Sequence, residues 1–193
     1  MLFSMILFLL SLSLLFTNNE LNSYKELIRI YKKTSLDTSL IDTNKIIKNA
    51  NELVYIRNDI YGRKSMMSKT SSYYWTLLDS AAKAHNIKLL IVSAYRSYSY
   101  QANIIKRKMK SGMSLENILK ENTLPGYSEH HSGSAIDLTN NEIRTLSMDF
   151  KETKEYKWLS NNAYLYNFYL SYPENQSNEI NFEPWHWSYK EKN

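Results

Sequence analysis

The chain has 193 residues, of which 43% are hydrophobic, with 16 Tyr and 4 Trp; this composition supports one compact domain and argues against a disordered chain. It has no Cys, which excludes disulfides and thiolate metal ligands. The formal net charge is +5, but Lys and Arg are spread along the chain, which favours a solvated basic surface over a nucleic-acid interface.

The chain begins with an apolar run, residues 1–16, made almost entirely of Leu, Phe, Ile and Met. Its length fits the apolar part of a signal peptide and falls short of the roughly 20 residues of a spanning helix. We therefore predict export, with residues 1–19 as a cleaved signal or a retained membrane anchor. No Lys or Arg precedes the run and no A-x-A-like site follows it, so both fates stay open, with a buried helix as the third interpretation.

Residues 20–51 mix Lys, Asn, Ser and Thr with Ile and Leu. Tyr24, Leu27, Ile28 and Tyr31 are spaced to share one face of a short amphipathic helix. We interpret this segment as a spacer or a packing arm. As a spacer behind a retained anchor it becomes a tether, which spans up to roughly 100 Å when extended.

The remainder, residues 52–193, is predicted to be one domain in which helical and strand patterns alternate. This alternation indicates an α+β fold, a small and mostly antiparallel sheet with helices packed on one face. Strands are predicted at 53–56, 87–93, 134–138, 168–172 and 180–187, and helices at 71–85, 98–110, 114–121 and 152–166.

The strand at 134–138 is the one that matters most for function. Its alternation sends Ile136 and Leu138 to the core and Asp137 to the opposite face. Gly133, just before it, is expected to permit a close backbone approach.

Two His and two carboxylates form the candidate site in a chain with only four His. His130 is followed by Asp137, and Glu183 precedes His186 by three residues. Catalytic Zn²⁺ takes three N or O ligands and leaves a position for water, with a nearby Glu as general base. We assign His130, Asp137 and His186 as ligands of one Zn²⁺ and Glu183 as the base.

Four ordered segments carry a resemblance to a known family. They are Ser-Ala-Tyr-Arg-Ser-Tyr at 93–98, Pro-Gly-Tyr-Ser-Glu-His at 125–130, Gly-Ser-Ala-Ile-Asp at 133–137 and Glu-Pro-Trp-His at 183–186. From about residue 51 to residue 189 the chain resembles the VanY-type D-alanyl-D-alanine carboxypeptidases, zinc peptidases that trim peptidoglycan stem peptides. The resemblance implies the same ligands and base and sharpens the expected fold to a Hedgehog/DD-peptidase-like one.

The resemblance also implies a substrate side. Arg96 and Ser128 match family residues that contact the substrate. The chemical reason for the arginine is that a guanidinium recognises a terminal carboxylate by paired hydrogen bonds. Arg96 is alternatively suited to stabilise the oxyanion of the reaction. Gln101 and Tyr172 match further polar residues near the substrate.

Two residues beside the ligands are ambiguous. His131 can also bind zinc, but neighbours in an extended segment point to opposite sides, and the resemblance selects His130. Glu129 competes with Glu183 as base; we interpret it as a carboxylate that orients a His ligand.

The predicted function is zinc-dependent D,D-carboxypeptidase activity that removes the terminal D-Ala of a stem peptide outside the cytoplasm. We expect a monomer, with residues 1–16 as the segment able to contact the membrane. Two alternatives remain: a peptidoglycan endopeptidase that cuts L-Ala from D-Glu, and a zinc-stabilised binding module without catalysis. Ser171, Ser188, Trp187 and Tyr127 depart from the family pattern and leave the substrate details open, but none removes a ligand.

Overall fold

The computed structural model describes residues 17–174 and 180–191. The predicted signal or anchor at residues 1–16 lies outside these described residues. None of the helices in the described part of the chain combines the length and the apolar character needed to cross a membrane.

Helices and strands alternate along most of the chain, which confirms the α+β prediction. The helices are α1 (Asn18–Thr34), α2 (Lys69–Ala84), α3 (Tyr98–Lys110), α4 (Leu115–Leu119) and α5 (Lys154–Asn162). The strands are β1 (Leu53–Asn58), β2 (Lys64–Ser68), β3 (Leu90–Ser93), β4 (Ala135–Thr139), β5 (Phe168–Leu170) and β6 (His186–Tyr189). Short 3-10 turns lie at Thr38–Leu40, Thr43–Lys45, Glu129–Ser132, Met148–Glu152 and Ala163–Tyr166.

Four strands form the sheet that carries the site, in the order β3-β4-β6-β5, with every pairing antiparallel. Asp137 on β4 lies directly opposite His186 on β6. On the other edge of β4, the same Asp137 pairs with Ser93 on β3. A separate hairpin joins β1 and β2; β2 was not predicted, because its Lys-Ser-Met-Met-Ser sequence has few β-favouring residues.

The first hydrophobic core packs α2 and α5 against this sheet. Ile136 and Leu138 of β4 are fully buried in it, as the alternation predicts, together with Trp75 and Leu78 of α2. On the same helix Leu77 is 40% exposed while Trp75 is buried. The buried face of the helix is thus centred on Trp75, Leu78 and Ala82.

The second hydrophobic core lies between α1, α3 and α4. Leu27 and Tyr31 of α1 are fully buried there against Tyr98 and Ile105 of α3 and Ile118 of α4. Helix α1 starts with a capping box between Thr17 and Glu20. Residues 18–51 therefore form a packed arm rather than an extended spacer, and we call them the N-terminal arm.

Two residues with positive φ lie near the site. Asn167 ends the turn before β5 in the left-handed conformation with φ 59°, which an Asn tolerates. Gly133, with φ 70°, brings its backbone against β2, and an added Cβ would lie 2.7 Å from the Ser68 backbone nitrogen. The close approach predicted for Gly133 is thus made to a neighbouring strand.

Candidate metal and catalytic site

Three buried side chains converge at the middle of the sheet. Asp137 projects from β4, His186 from the start of β6, and His130 from the 3-10 turn that precedes β4. One ligand atom from each lies within 4.8 Å of the others. Asp137 and His186 lie directly opposite each other in the pairing of β4 with β6. The main-chain pairing therefore brings two of the three side chains together.

Backbone and side-chain acceptors orient both imidazoles. The Nδ1 of His130 lies 2.6 Å from the Ala94 carbonyl oxygen, which can only accept, so Nδ1 carries the proton. The Nε2 of His186 lies 3.0 Å from a Glu129 carboxylate oxygen and donates to it in the same way. The remaining nitrogens, Nε2 of His130 and, in the neutral imidazole, Nδ1 of His186, are therefore the ones available to ligate a metal.

Both nitrogens face the same carboxylate. The Nε2 of His130 is 3.2 Å from Asp137 Oδ2 and has no hydrogen-bond partner despite its burial; the Nδ1 of His186 is 2.9 Å from Asp137 Oδ1. Two imidazole nitrogens and a carboxylate that are buried and face one another are stabilised by a positive charge between them, either a proton on His186 or a metal cation. This set of two imidazoles and one carboxylate fits Zn²⁺ with an open fourth position.

The ionisation of the three side chains agrees with a cation site. Burial lowers the pKa of His130 to about 4, so it is neutral and able to ligate. Burial opposes the Asp137 carboxylate, but His130, His186 and Arg96 outweigh it and hold the pKa of Asp137 well below its usual value. Burial likewise opposes the charged form of His186, yet its hydrogen bonds to Asp137 and Glu129 raise its pKa to about 9, so without a metal a proton occupies this position.

Glu183 stands beside the ligands in the turn that leads into β6. The His186 backbone N–H donates to the Glu183 carbonyl at 3.1 Å, so the strand begins at His186 and not at residue 180 as predicted. One Glu183 carboxylate oxygen is 3.8 Å from the Nδ1 of His186. Burial raises the pKa of Glu183 to about 7, which suits a group that accepts and returns a proton near neutral pH.

Arg96 follows β3 and reaches the site from the other side. Its guanidinium lies 3.5 Å from Asp137 Oδ2 and donates to the Gln101 side-chain oxygen at 3.2 Å. The Gln101 amide nitrogen in turn donates to the Thr123 carbonyl at 2.8 Å. Gln101 is only 1% exposed, so its main contact with the site is through Arg96, whose buried Nε has no partner among the described residues.

Ser128 and Tyr172 border the same depression in the surface. The Tyr172 ring lies 5.0 Å from the His186 ring, and the Ser128 hydroxyl does not cap the turn that follows it. The depression is lined by Arg96, Gln101, Ser128, Tyr172, Glu183 and His186 among others. A neighbouring cleft of about 410 Å³ shares Arg96 and Glu183 with this depression and is also lined by Asp137. Its apolar wall consists of Leu146, Met148, Phe182 and Trp185.

The two ambiguous neighbours of the ligands point away from the metal position. His131 donates from Nδ1 to the Arg96 carbonyl at 2.6 Å and accepts the Gly126 N–H at Nε2 at 3.1 Å. It diverges from His130 because both lie in a 3-10 turn, not in the extended segment assumed from the sequence. Glu129 contacts the Nε2 of His186, whereas Asp137 contacts the Nδ1 on the other side of the ring.

Sequence reasoning missed two supporting groups. The Ser171 hydroxyl donates to Glu129 at 2.5 Å, and the Ala94 carbonyl orients His130. Burial opposes the Glu129 carboxylate, but His186 and Ser171 lower its pKa to about 2. No sequence signal marks a backbone carbonyl, and Ser171 stands out only as a departure from the family pattern.

Comparison with protein families gives one match that covers most of the domain. Residues 64–192 match the family model VanY, described as D-alanyl-D-alanine carboxypeptidase. A D-alanyl-D-alanine carboxypeptidase of Enterococcus faecium is 28% identical over 161 residues, which cover 82% of this chain and 47% of the relative. The chain spans less than half the length of the curated relatives it matches.

Solved structures show the same fold. The LdcB LD-carboxypeptidase, whose structure concerns peptidoglycan recognition, aligns with a TM-score of 0.67 and 29% identity over 73% of this chain and 69% of that one. The D,D-dipeptidase VanXYg, bound to a phosphinate analogue of D-Ala-D-Ala, aligns with a TM-score of 0.63 and 27% identity over 78% of this chain and 61% of that one.

Proposed function

This chain belongs to the VanY family of D-alanyl-D-alanine carboxypeptidases, and we propose that it is a zinc-dependent carboxypeptidase that removes the terminal D-Ala of peptidoglycan stem peptides. The observation that carries this proposal is the convergence of His130, Asp137 and His186 within 4.8 Å, with the Glu183 carboxylate 3.8 Å from His186. A non-catalytic zinc module needs neither this carboxylate nor an arginine beside it.

The proposed zinc ligands are the Nε2 of His130, an oxygen of Asp137 and the Nδ1 of His186. Zn²⁺ held there supplies Lewis-acid chemistry, which polarises a peptide carbonyl and makes water acidic enough to react near neutral pH.

Glu183 is the proposed proton carrier. Its carboxylate takes a proton from the attacking water and returns it to the leaving amine of D-Ala, so that it ends the cycle as it began. Burial of Glu183 favours this exchange, since it raises the pKa of Glu183 to about 7.

Arg96 is the proposed recognition residue for the C-terminal carboxylate. A planar guanidinium pairs with a carboxylate through two parallel charge-assisted hydrogen bonds, and Gln101 holds the guanidinium in place. Ser128 and Tyr172, on the border of the same depression, are placed to contact the peptide.

The substrate class determines where the protein acts. Stem peptides of the wall lie outside the cytoplasmic membrane, so we propose an extracytoplasmic location, with residues 1–16 as the export segment or anchor and the domain as a monomer. Fusion of residues 1–51 to a reporter that is active only outside the cytoplasm tests this; activity confined to the cytosol contradicts it.

A second candidate function is L,D-carboxypeptidase activity, in which a tetrapeptide loses its D-Ala. It is favoured by the alignment with the LdcB LD-carboxypeptidase. Both reactions release D-Ala from a carboxyl terminus, so the same ligands, base and arginine serve either one.

The deciding experiment is incubation of the zinc-loaded protein with a stem pentapeptide and, separately, a tetrapeptide, followed by mass spectrometry. Loss of one D-Ala from the pentapeptide alone supports the D,D-carboxypeptidase, and loss from the tetrapeptide supports the second candidate. Cleavage between L-Ala and D-Glu, or no cleavage of any of these peptides, contradicts the proposal.

A further inference from the structure

The N-terminal arm, residues 18–51, lies outside the family match, which begins at residue 64, yet it contacts the segment that carries Ser128 and His130. We infer that this arm is a positioning element of the metal site, and that residues 125–131, here called the site loop, depend on it for their conformation. The inference rests on the proposed metal site.

Three hydrogen bonds join the arm to the backbone of the site loop. The Tyr31 hydroxyl donates to the Pro125 carbonyl at 2.9 Å in a buried contact. The Ile47 N–H donates to the Gly126 carbonyl at 2.7 Å, and the Ala50 N–H donates to the His131 carbonyl at 2.7 Å. Two of the three bonds end on the Pro125-Gly126 turn and the third ends beside His130, so the arm contacts both ends of the loop.

Packing reinforces these bonds. The Leu27 side chain, which is fully buried, lies so close to Gly126 that an added Cβ would be 2.9 Å from one of its methyl carbons. Gly126 has φ +98°, a conformation open to Gly and strained for other residues. The site loop therefore turns sharply where it packs against α1, and the Leu27 side chain of α1 limits the space at Gly126.

The arm is held in turn by α3, which follows Arg96. The Tyr98 hydroxyl donates to the Ile47 carbonyl at 2.8 Å, and its ring packs edge-on against His131 with centroids 4.7 Å apart. Tyr98 is fully buried. The arm thus lies between the helix that carries Gln101 and the loop that carries the ligand.

A continuous set of contacts leads from the arm to the metal position. The Gly126 N–H donates to His131, and His131 donates to the Arg96 carbonyl. The Arg96 N–H donates back to the His130 carbonyl at 3.2 Å. A shift of the Pro125-Gly126 turn therefore moves both Arg96 and His130, the recognition residue and a ligand.

The test replaces single hydroxyls in the full-length chain. Tyr31→Phe keeps the ring in the core and removes only the bond to Pro125. The matched control is Tyr24→Phe on the same helix, because the Tyr24 hydroxyl makes no hydrogen bond to the described residues and Tyr24 borders a surface depression away from the loop. For each variant and for the wild type we measure the zinc dissociation constant, the visible spectrum of the Co²⁺ form, the thermal stability and the amide hydrogen exchange at residues 126–131.

We expect Tyr31→Phe to raise the zinc dissociation constant about fivefold, the effect of one buried hydrogen bond, to change the Co²⁺ spectrum and to speed exchange in the site loop. Tyr24→Phe should change none of these. If Tyr31→Phe has the same zinc dissociation constant and the same hydrogen exchange in the site loop as the control, the inference is overturned. The arm then has a purely stabilising role, whatever the change in thermal stability.

Tyr98→Phe provides a second variant, judged by the same criteria, if Tyr31→Phe does not fold. A wild-type protein that binds no zinc contradicts the proposed function instead. Loop exchange in the metal-free protein still decides the role of the arm in that case, because it requires no metal.

Discussion

The site has a half built on strands and a half built on loops, and the two are held in place differently. Asp137 and His186 are paired across β4 and β6, so main-chain hydrogen bonds fix their separation. Arg96, Ser128 and His130 lie on connections between elements, where side chains and the N-terminal arm supply the order. The strand half should therefore tolerate changes in its surroundings, whereas the loop half should respond to substitutions far from the metal.

The largest expected effect separates chemistry from metal binding at Glu183, which adjoins the strand half. Glu183→Gln should lower kcat about a thousandfold, within the usual range for loss of a general base, while zinc remains bound, because Glu183 is not a proposed ligand. Zinc content and kcat are measured together.

Asp137→Ala is the matched comparison, since it removes a proposed ligand next to the same cavity. Zinc binding should weaken by more than the 10-fold to 100-fold typical of an outer-shell partner. Full turnover in Glu183→Gln would exclude Glu183 as the base.

The next effect concerns the loop half and acidic pH. Burial lowers the pKa of His131 to about 4, against an ordinary unfolded value of about 6.5. The unfolded state therefore binds the proton first as pH falls. The stability that neutral His131 contributes is fully present above pH about 6.5 and is lost between about 6.5 and 4, up to about 3 kcal/mol.

Urea unfolding of the metal-free protein at several pH values measures this loss. The difference in unfolding free energy between wild type and His131→Asn should shrink as pH falls from 7 to 4. Taking this difference cancels the contributions of the other histidines, which both proteins share. A difference that stays constant with pH would show that His131 is not buried as a neutral acceptor.

The smallest of these effects tests recognition at Arg96. Arg96→Lys keeps the charge but loses the planar pair of donors. The value of kcat/KM for a stem peptide should therefore fall roughly 30-fold, which corresponds to about 2 kcal/mol, the scale of a hydrogen bond to a charged group. Lys106→Ala, on the outer part of α3, is the control and should leave kcat/KM unchanged. Equal values for wild type and Arg96→Lys would remove Arg96 from substrate recognition.

The residues of both halves could be named from the sequence, but only the strand half could also be placed, because the contacts that hold the loop half could not be predicted. The alternation in residues 134–138 correctly placed Ile136 and Leu138 in the core, since a period of two leaves one choice of face. By contrast, the contacts of Tyr31 with Pro125 and of Ala50 with His131 join segments that are 94 and 81 residues apart. No local pattern encodes such contacts, and the sequence therefore left open whether residues 20–51 pack at all.

The pairing of Asp137 with His186 also has a consequence for how the protein matures. His130 and Asp137 are only seven residues apart, but 49 positions separate Asp137 from His186, and closing the longer loop costs about 2 kcal/mol more chain entropy. A complete three-ligand site therefore exists only after β4 and β6 have paired. The proposed zinc ion therefore binds late, to a chain that is already folded, and stabilises it by mass action. Chelation should yield a folded apoprotein that regains the metal without passing through the unfolded state.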